Sequence, residues 1–590
     1  MKYPTLTELI TSRELIDVFG GYNHNLRIGV GEFYDMTNLT SADYPVLSPR
    51  PKRGMYTSPG NTTPDNPQGL ISKDALCYVD GEDFYINGSR VPVGLSTKAE
   101  DCPKTLISMG AYVIIMPDKK YVDTVHFASQ SNFSIEASVT TATKTTFSLC
   151  KLDGSAYEDV VTSDTAPSSP QNLDLWIDTS STPNVLKQYA ETSEQWTSVA
   201  TTYIKVSAPD IGKPFSEGDG VKISGTATIE GLEDISGTMV IQAKGDDYIV
   251  VIGILDKVYT TDSPITISRR MPKMDFVIES NNRLWGCRYG VNNDGDVVNE
   301  IYASKQGDFK NWNCYAGIST DSYAASVGTD GQFTGAITHL GYPLFFKENC
   351  VHKVYGYYPA NYQVQTTACR GVQKGCHKSL AILNETLYYK SRSAVCAFDG
   401  SLPTEMSSAL GDIAYDNAVA GVLGNKYYIS MQDEKGEYHL FVYDASKGMW
   451  HREDNTKAVE FCNSRGNLYY IDYADKKIKS VIGTTSSLEE SVVEWSAITG
   501  VIGTGSPDKK YVSRLVVRLS LEVGTTVTFS AEYDSSGEWE HLFTKSGTKL
   551  GSFSIPIRTR RCDHLRLRIN GKGEAKIYSI AKTIEQGSDI

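Results

Sequence analysis

Between Lys510 and Asp534 the chain alternates apolar and polar residues almost without a break, in KYVSRLVVRLSLEVGTTVTFSAEYD, and Asp563 to Lys582 repeats the pattern in DHLRLRINGKGEAKIYSIAK. Successive side chains of a strand point to opposite faces, so a period of two marks strands with one buried face. Together the two stretches predict a small antiparallel β-sandwich over Lys509 to Lys582. A different grammar runs through the middle of the chain. In NNRLWGCRY, GYPLFFKENCVHKVYG, NETLYYKSRSAVCAFDG, GNKYYISMQDEKGEYHLFVYD and RGNLYYIDYADKKIKSV, a turn residue comes first, then aromatic or apolar residues; in the last four a short turn and a second strand follow. Trp285, Phe345, Tyr388, Tyr427 and Tyr469 mark the repeats, and the last three steps are about 43, 39 and 42 residues. That is the period of a four-stranded propeller blade.

ALCYVDGEDFYING (Ala75 to Gly88) and MGAYVIIMPDKKYVDT (Met109 to Thr124) add two hairpins, turning at Asp80-Gly81 and Pro117-Asp118. A single such sheet cannot bury its faces, whereas several stacked radially can. The expected fold is therefore all-β: a degenerate β-propeller of six to eight blades, with an inserted β-domain and a C-terminal β-sandwich-like domain. The Thr/Ser-rich stretch from 131 to 270 interrupts the grammar and reads as the insert. The expected division is 1–60 (helix and irregular arm), 61–130 (first part of the propeller), 131–270 (insert), 271–500 (remainder) and 501–590 (sandwich). The one helix expected runs from Leu6 to Phe19, with Thr5 or Thr7 as cap and Gly20-Gly21 as stop. The Pro-rich stretch Tyr44 to Gly54 is expected to be an irregular arm.

Composition supports this. Tyr, a strand former, occurs 36 times and Gly, the residue of tight turns, 50 times. A net charge of −13 argues against nucleic-acid binding by counterion release, but suits a channel wall that should not hold DNA. The eleven Cys lack metal-ligand or C-x-x-C spacing and read as buried thiols in a reducing compartment. No secretion signal or run of 18 apolar residues is visible, so a cytoplasmic chain without membrane insertion is expected.

Candidate chemistry is sparse. No H-E-x-x-H, phosphate-binding loop or G-x-S-x-G elbow occurs. NNDGDVVNE (Asn292 to Glu300) lacks the alternating acids of a calcium loop and reads as a hairpin turn. IGTGSPDKK (Ile502 to Lys510) reads as a linker. Glu32 with Asp35 and Asp246 with Asp247 are the carboxylate pairs at hand for glycoside hydrolysis, without any mark that sets them apart. Trp176, Trp196 and Trp285 read as packing residues before sugar platforms. No catalytic, cofactor or metal residue is therefore assigned, no cofactor is expected, and the expectation is that the chain is not an enzyme. Three basic clusters are candidate contacts: Arg50, Lys52 and Arg53 on the arm, Arg269 with Arg270, and Arg558, Arg560 and Arg561 near the C-terminus, since Arg suits planar pairing with a neighbour's carboxylates.

FGGYN followed by NLTSADYPVLSPRPKRG resembles the N-terminal arm of bacteriophage tail hub, nozzle and packaged-DNA stabilisation proteins. NEIYASKQGDFKNW (Asn299 to Trp312) is similar to a recurring blade segment of these propellers, and LFFKENCVHKVYG to a nozzle hairpin; the segment from Trp176 to Trp196 is similar to small β-modules in phage tail proteins. The resemblance implies a structural virion protein assembled in the host bacterial cytoplasm. It would form a nozzle or hub ring, with six subunits the implied number, that touches the portal or adaptor and other tail proteins. Its channel would retain packaged DNA and guide its ejection without sequence-specific binding. The alternative is a host-receptor or carbohydrate-binding propeller on the virion, and after it a propeller glycosidase.

Overall fold

The computed structural model describes residues 11–58, 63–142, 144–484, 490–503, 509–558 and 560–586. Strand accounts for 52% of the chain and helix for 3%. Seven blade-sized antiparallel sheets follow along the described chain, and the fold is of the β-propeller class. Six of them, with four strands each, are built on Pro67–Val91, Phe276–Ser326, Gly335–Ala368, Ala381–Glu405, Tyr415–Arg452 and Ala458–Ser480; Thr105–Asp123 has three. The expected hairpins are there: Ala75–Asp80 with Asp83–Ile86, Tyr112–Met116 with Lys120–Asp123, Lys426–Asp433 with Tyr438–Asp444, and Asn467–Asp472 with Lys477–Ser480.

Two compact units divide the chain: 1–106 with 346–351 and 367–590, and 107–345 with 352–366. In the first unit, the leading strands Pro67–Lys73, Ala458–Ser464, Tyr415–Leu423 and Ala381–Leu383 are neighbours in that order. Side chains interleave between successive sheets: Tyr428, Leu440 and Val442 meet Leu468, Tyr470 and Val481, while Leu70, Leu76 and Tyr78 meet Ile471 and Ile478. This is why the aromatic doublets recur. Each doublet places one ring on either face of a sheet that is covered on both sides. In the second unit Trp285, Cys287 and Ile301 pack in the same way on Phe345 and Val354.

The N-terminal stretch is woven into the first unit. Gly54–Met55 pairs with Lys479 and Ser480 and so supplies the fourth strand of the last sheet. Gly21–Tyr22 pairs with Trp450, and Glu32–Thr37 pairs with Glu494–Thr499. Gly21 and Tyr22 also pair in parallel with Glu32 and Phe33, and these three links make the sheet of Tyr415–Arg452 continuous with the C-terminal strands, in one 12-stranded sheet. The helix expected over Leu6 to Phe19 is corrected: Thr11–Ile16 is a strand paired antiparallel with Ile580 to Glu585, and Leu6 to Ile10 lie outside the described residues. An open sheet edge offers backbone partners that outweigh a weak local helix preference.

The strand Lys510–Tyr533 is 24 residues long; its first half pairs with Ala575–Gln586 and its second with Leu565–Lys572. Opposite Gly571 stands Trp495, whose indole Nε1 donates to the Gly573 carbonyl at 3.0 Å. A Cβ on Gly571 would lie 2.0 Å from the indole ring. Gly571→Ala is therefore expected to destabilise the first unit by about 1–3 kcal/mol, the cost of overpacking. Urea unfolding followed by Trp fluorescence checks this, and an unchanged midpoint would show that the indole can move aside.

Residues 137–269 form an eight-stranded and a four-stranded sheet whose strands, among the described residues, pair with none outside the stretch. Its core (Phe147, Ile204, Val206, Val221, Ile241 and Val251 among others) is drawn wholly from within the stretch. No helix among the described residues is long and apolar enough to cross a membrane.

Candidate functional site

The second unit contains a cleft of about 430 Å³. The hairpin Tyr112–Asp123 and the loop after it form one wall, the insert contributes Asp219 and Arg269, and residues 307–310 close the other side. Period-two alternation places Tyr112 and Tyr121 on one face of the hairpin, where both pack on buried Phe309 with ring centroids 5.1 Å away. Lys310 lies over the Tyr121 ring at 4.4 Å and its Nζ bonds the Tyr121 hydroxyl at 3.0 Å.

The cleft floor is a chain of buried polar groups. Arg269, 7% exposed, ion-pairs with Asp219 through Nη1 and donates from Nη2 to the Ile135 carbonyl at 3.2 Å. The amide nitrogen of Asn311 donates to Asp219 at 2.9 Å and to Asp308 at 2.5 Å, so one side chain ties the carboxylate of the insert to that of the propeller. The Asn311 amide oxygen accepts from the Gly220 N–H at 3.0 Å. Gly220 is required there, because a Cβ would sit 2.3 Å from the Asn313 carbonyl oxygen. At the rim, Asp123 accepts from the N–H groups of Val125 and His126 at 2.9 and 3.1 Å and faces the His126 imidazole at 3.2 Å. Burial pushes its pKa up, but these hydrogen bonds outweigh burial and hold it below the usual carboxylate value.

Of the candidate contact residues read from the sequence, Arg269 lies in this cleft, where it pairs with Asp219 of its own chain. Arg50 and Arg53, expected to reach a neighbouring subunit, are corrected: they are 3% and 5% exposed and point into their own chain. Arg50 makes a bidentate pair with Glu490, both contacts 2.7 Å, and bonds Asn38 at 2.8 Å. Arg53 pairs with Glu453 and Asp454, both at 2.7 Å. The acid partners lie some 400 residues away in sequence, so no local pattern could reveal them. Lys52 is half-buried, with its carbonyl accepting from Gly483. Arg558, Arg560 and Arg561 are exposed, and Arg560 pairs with Glu540 at 2.8 Å and stacks over Tyr533 at 4.0 Å.

The proposed carboxylate pairs have separate partners: Glu32 accepts from Asn23, Asp35 pairs with Arg452, and Asp247 accepts from the Asp210 N–H. Trp285 and Trp176 are buried and donate to the carbonyls of Ser280 and Ser163, while Trp196 is half-buried between Trp176 and Tyr189. The fold also brings together Asp433, Glu437 and His439, with ligand atoms within 4.8 Å of one another. Hydrogen bonds of the hairpin turn hold the Asp433 carboxylate there.

The seven sheets, the insert and the cleft define the class: a β-propeller carrying an inserted β-domain that helps to wall a polar, aromatic-lined cleft. Neither a protein-family model nor a curated protein matches the chain. Solved structures similar to it include an exo-β-1,3-galactanase from Phanerochaete chrysosporium (9% identity, 52% of this chain and 94% of that one, TM-score 0.19). A sialidase from Trypanosoma rangeli (10%, 68% and 86%, TM-score 0.17) and an acylaminoacyl peptidase from Pyrococcus horikoshii (10%, 53% and 55%, TM-score 0.22) are others. At these identities the likeness concerns the fold alone, and at such TM-scores no substrate follows from it. The expectation that the chain is not an enzyme is nevertheless corrected. The finding against it is that glycoside hydrolases are among the solved structures similar to this chain. The fold brings Asp219 and Asp308, 89 residues apart in sequence, onto the amide of one Asn311.

Proposed function

We propose that this chain is a carbohydrate-binding β-propeller and that the cleft between Tyr112, Asp123, Asp219 and Asp308 holds a glycan. One observation carries the reading: half-buried Tyr rings and hydrogen-bonding carboxylates share a single cleft of about 430 Å³. A pyranose has the matching duality, with C–H faces that stack on aromatic rings and a belt of hydroxyls that carboxylates accept from. Screening the full chain on a glycan array, followed by calorimetry on the best binder, tests the proposal. Tyr112→Ala is expected to weaken binding about ten-fold or more, in line with about 1–3 kcal/mol for a lost aromatic contact. Absence of any glycan binding, or wild-type affinity in the variant, would overturn it. A turnover assay on the bound glycan, with Asp219→Asn and Asp308→Asn, asks whether the two carboxylates also do chemistry.

A second reading is a ring component of a bacteriophage tail, touching the portal and guiding DNA. Besides the resemblance of Asn299 to Trp312 and Leu344 to Gly356, one feature supports it. Among the described residues Glu540–Ile555 pairs only with Lys510–Tyr533, so the other edge of this 16-residue strand offers backbone groups to another chain. Labelled imaging of purified virions is expected to find the chain in a tail ring, and its absence from particles would refute that reading.

A further inference from the structure

We infer that the cleft selects neutral glycans and discriminates against those ending in a carboxylate. The inference rests on the glycan-binding reading and deepens it. The ionisable groups lining the cleft are Asp123, Asp219, Asp308, Arg269, Lys310 and His126, together with the hydroxyls of Tyr112 and Tyr121. Three carboxylates thus stand against two permanent cations. Both cations are already engaged within the cleft wall: Arg269 on Asp219 and the Ile135 carbonyl, Lys310 on the Tyr121 hydroxyl and ring. A ligand carboxylate entering here would have to displace one of these contacts, and would approach like charges in a partly dry site.

The remaining hydrogen-bonding capacity has the opposite character. A carboxylate has about four lone-pair positions. Asp308 accepts the Asn311 amide on one oxygen and the Lys310 N–H at 3.0 Å on the other. Asp123 accepts two backbone N–H groups on one oxygen and faces His126 with the other. Each therefore retains acceptor positions. Unused acceptors beside an aromatic wall call for donors, which neutral sugar hydroxyls supply and sugar carboxylates do not. Asn311 holds the geometry, because its amide fixes Asp308 and Asp219 at once.

The test uses the full chain and matched oligosaccharide pairs on one array, each neutral terminal hexose set against its uronate or sialylated counterpart, with affinities from calorimetry at low salt. Neutral members are expected to bind at least ten-fold tighter than their acidic counterparts. In Asp308→Asn, a near-isosteric change whose folding is verified by circular dichroism, neutral binding should weaken and the gap should narrow to a few-fold. Equal or tighter binding of the acidic members, or an unchanged gap in Asp308→Asn, would overturn the selectivity while leaving the glycan reading intact. Failure of both members to bind would overturn the glycan reading and this inference with it.

Discussion

Replacing Arg53 with methionine is expected to lower the stability of the first unit by about 3–5 kcal/mol, the usual result of stranding a buried charge. Arg53 lies between Glu453 and Asp454, and its own N–H donates to Glu490 at 2.9 Å. Glu453 is 5% exposed, so water cannot replace the lost guanidinium. The cost should come mainly from the orphaned acids, and a double change, Arg53→Met with Glu453→Leu, should recover a good part of it. Urea midpoints of the two variants check this. A single variant within about 0.5 kcal/mol of wild type, the range of a surface substitution, would show that the pairs contribute nothing.

The same cluster sets an acid limit. Burial raises the pKa of Asp454 and of Glu490, but Arg53 for the first and Arg50 for the second outweigh it, so both lie below their ordinary 3.8 and 4.5. Groups with depressed folded pKa values stabilise fully above their unfolded values, and that contribution is lost as pH falls through the folded ones. The stability supplied by the two acids is therefore present at neutral pH and fades below about pH 4.5. In Arg53→Met the acid-driven loss should be shallower, because much of the depression of Asp454 goes with the guanidinium.

How far the sequence could be read depended on the distance over which each feature is decided. The hairpins were legible because turn residues and Tyr doublets are local, as at Gly81 (φ +60°) between Ala75–Asp80 and Asp83–Ile86. The strand Thr11–Ile16 was not, since its pairing partner is some 570 residues away. The arm shows the same limit from the other side. Basic residues on a Pro-rich stretch look like a reaching surface, and only the fold supplies Glu453, Asp454 and Glu490 to bury them. The cleft was wholly hidden: Asp123, Asp219 and Asp308 stand about 90 residues apart in sequence, each in an unremarkable turn or strand end. The insert was visible as a break in grammar and Arg269 as one of a basic pair, yet nothing local marked Asp219 as its partner or the two as part of a cleft shared with the propeller.

Excising residues 137–269 in favour of a short Gly/Ser linker is expected to leave the remaining sheets folded and to abolish glycan binding altogether. The two halves of this expectation have different grounds. Folding should survive because the insert has its own core, and among the described residues its strands pair only with one another. The residues just outside it, Ile135 and Met271, pack instead with Ile114, Leu284, Phe309 and Trp312, so the cut runs between two cores. Binding should fail because the excision removes Asp219 and Arg269, and with them the acid that shares the Asn311 amide with Asp308. Circular dichroism and Trp fluorescence report the first half, calorimetry with the array-selected glycan the second. A folded protein that still binds would move the glycan away from the cleft. Global unfolding would show that Asn311 and its neighbours need the insert as a structural support rather than as a wall of the site.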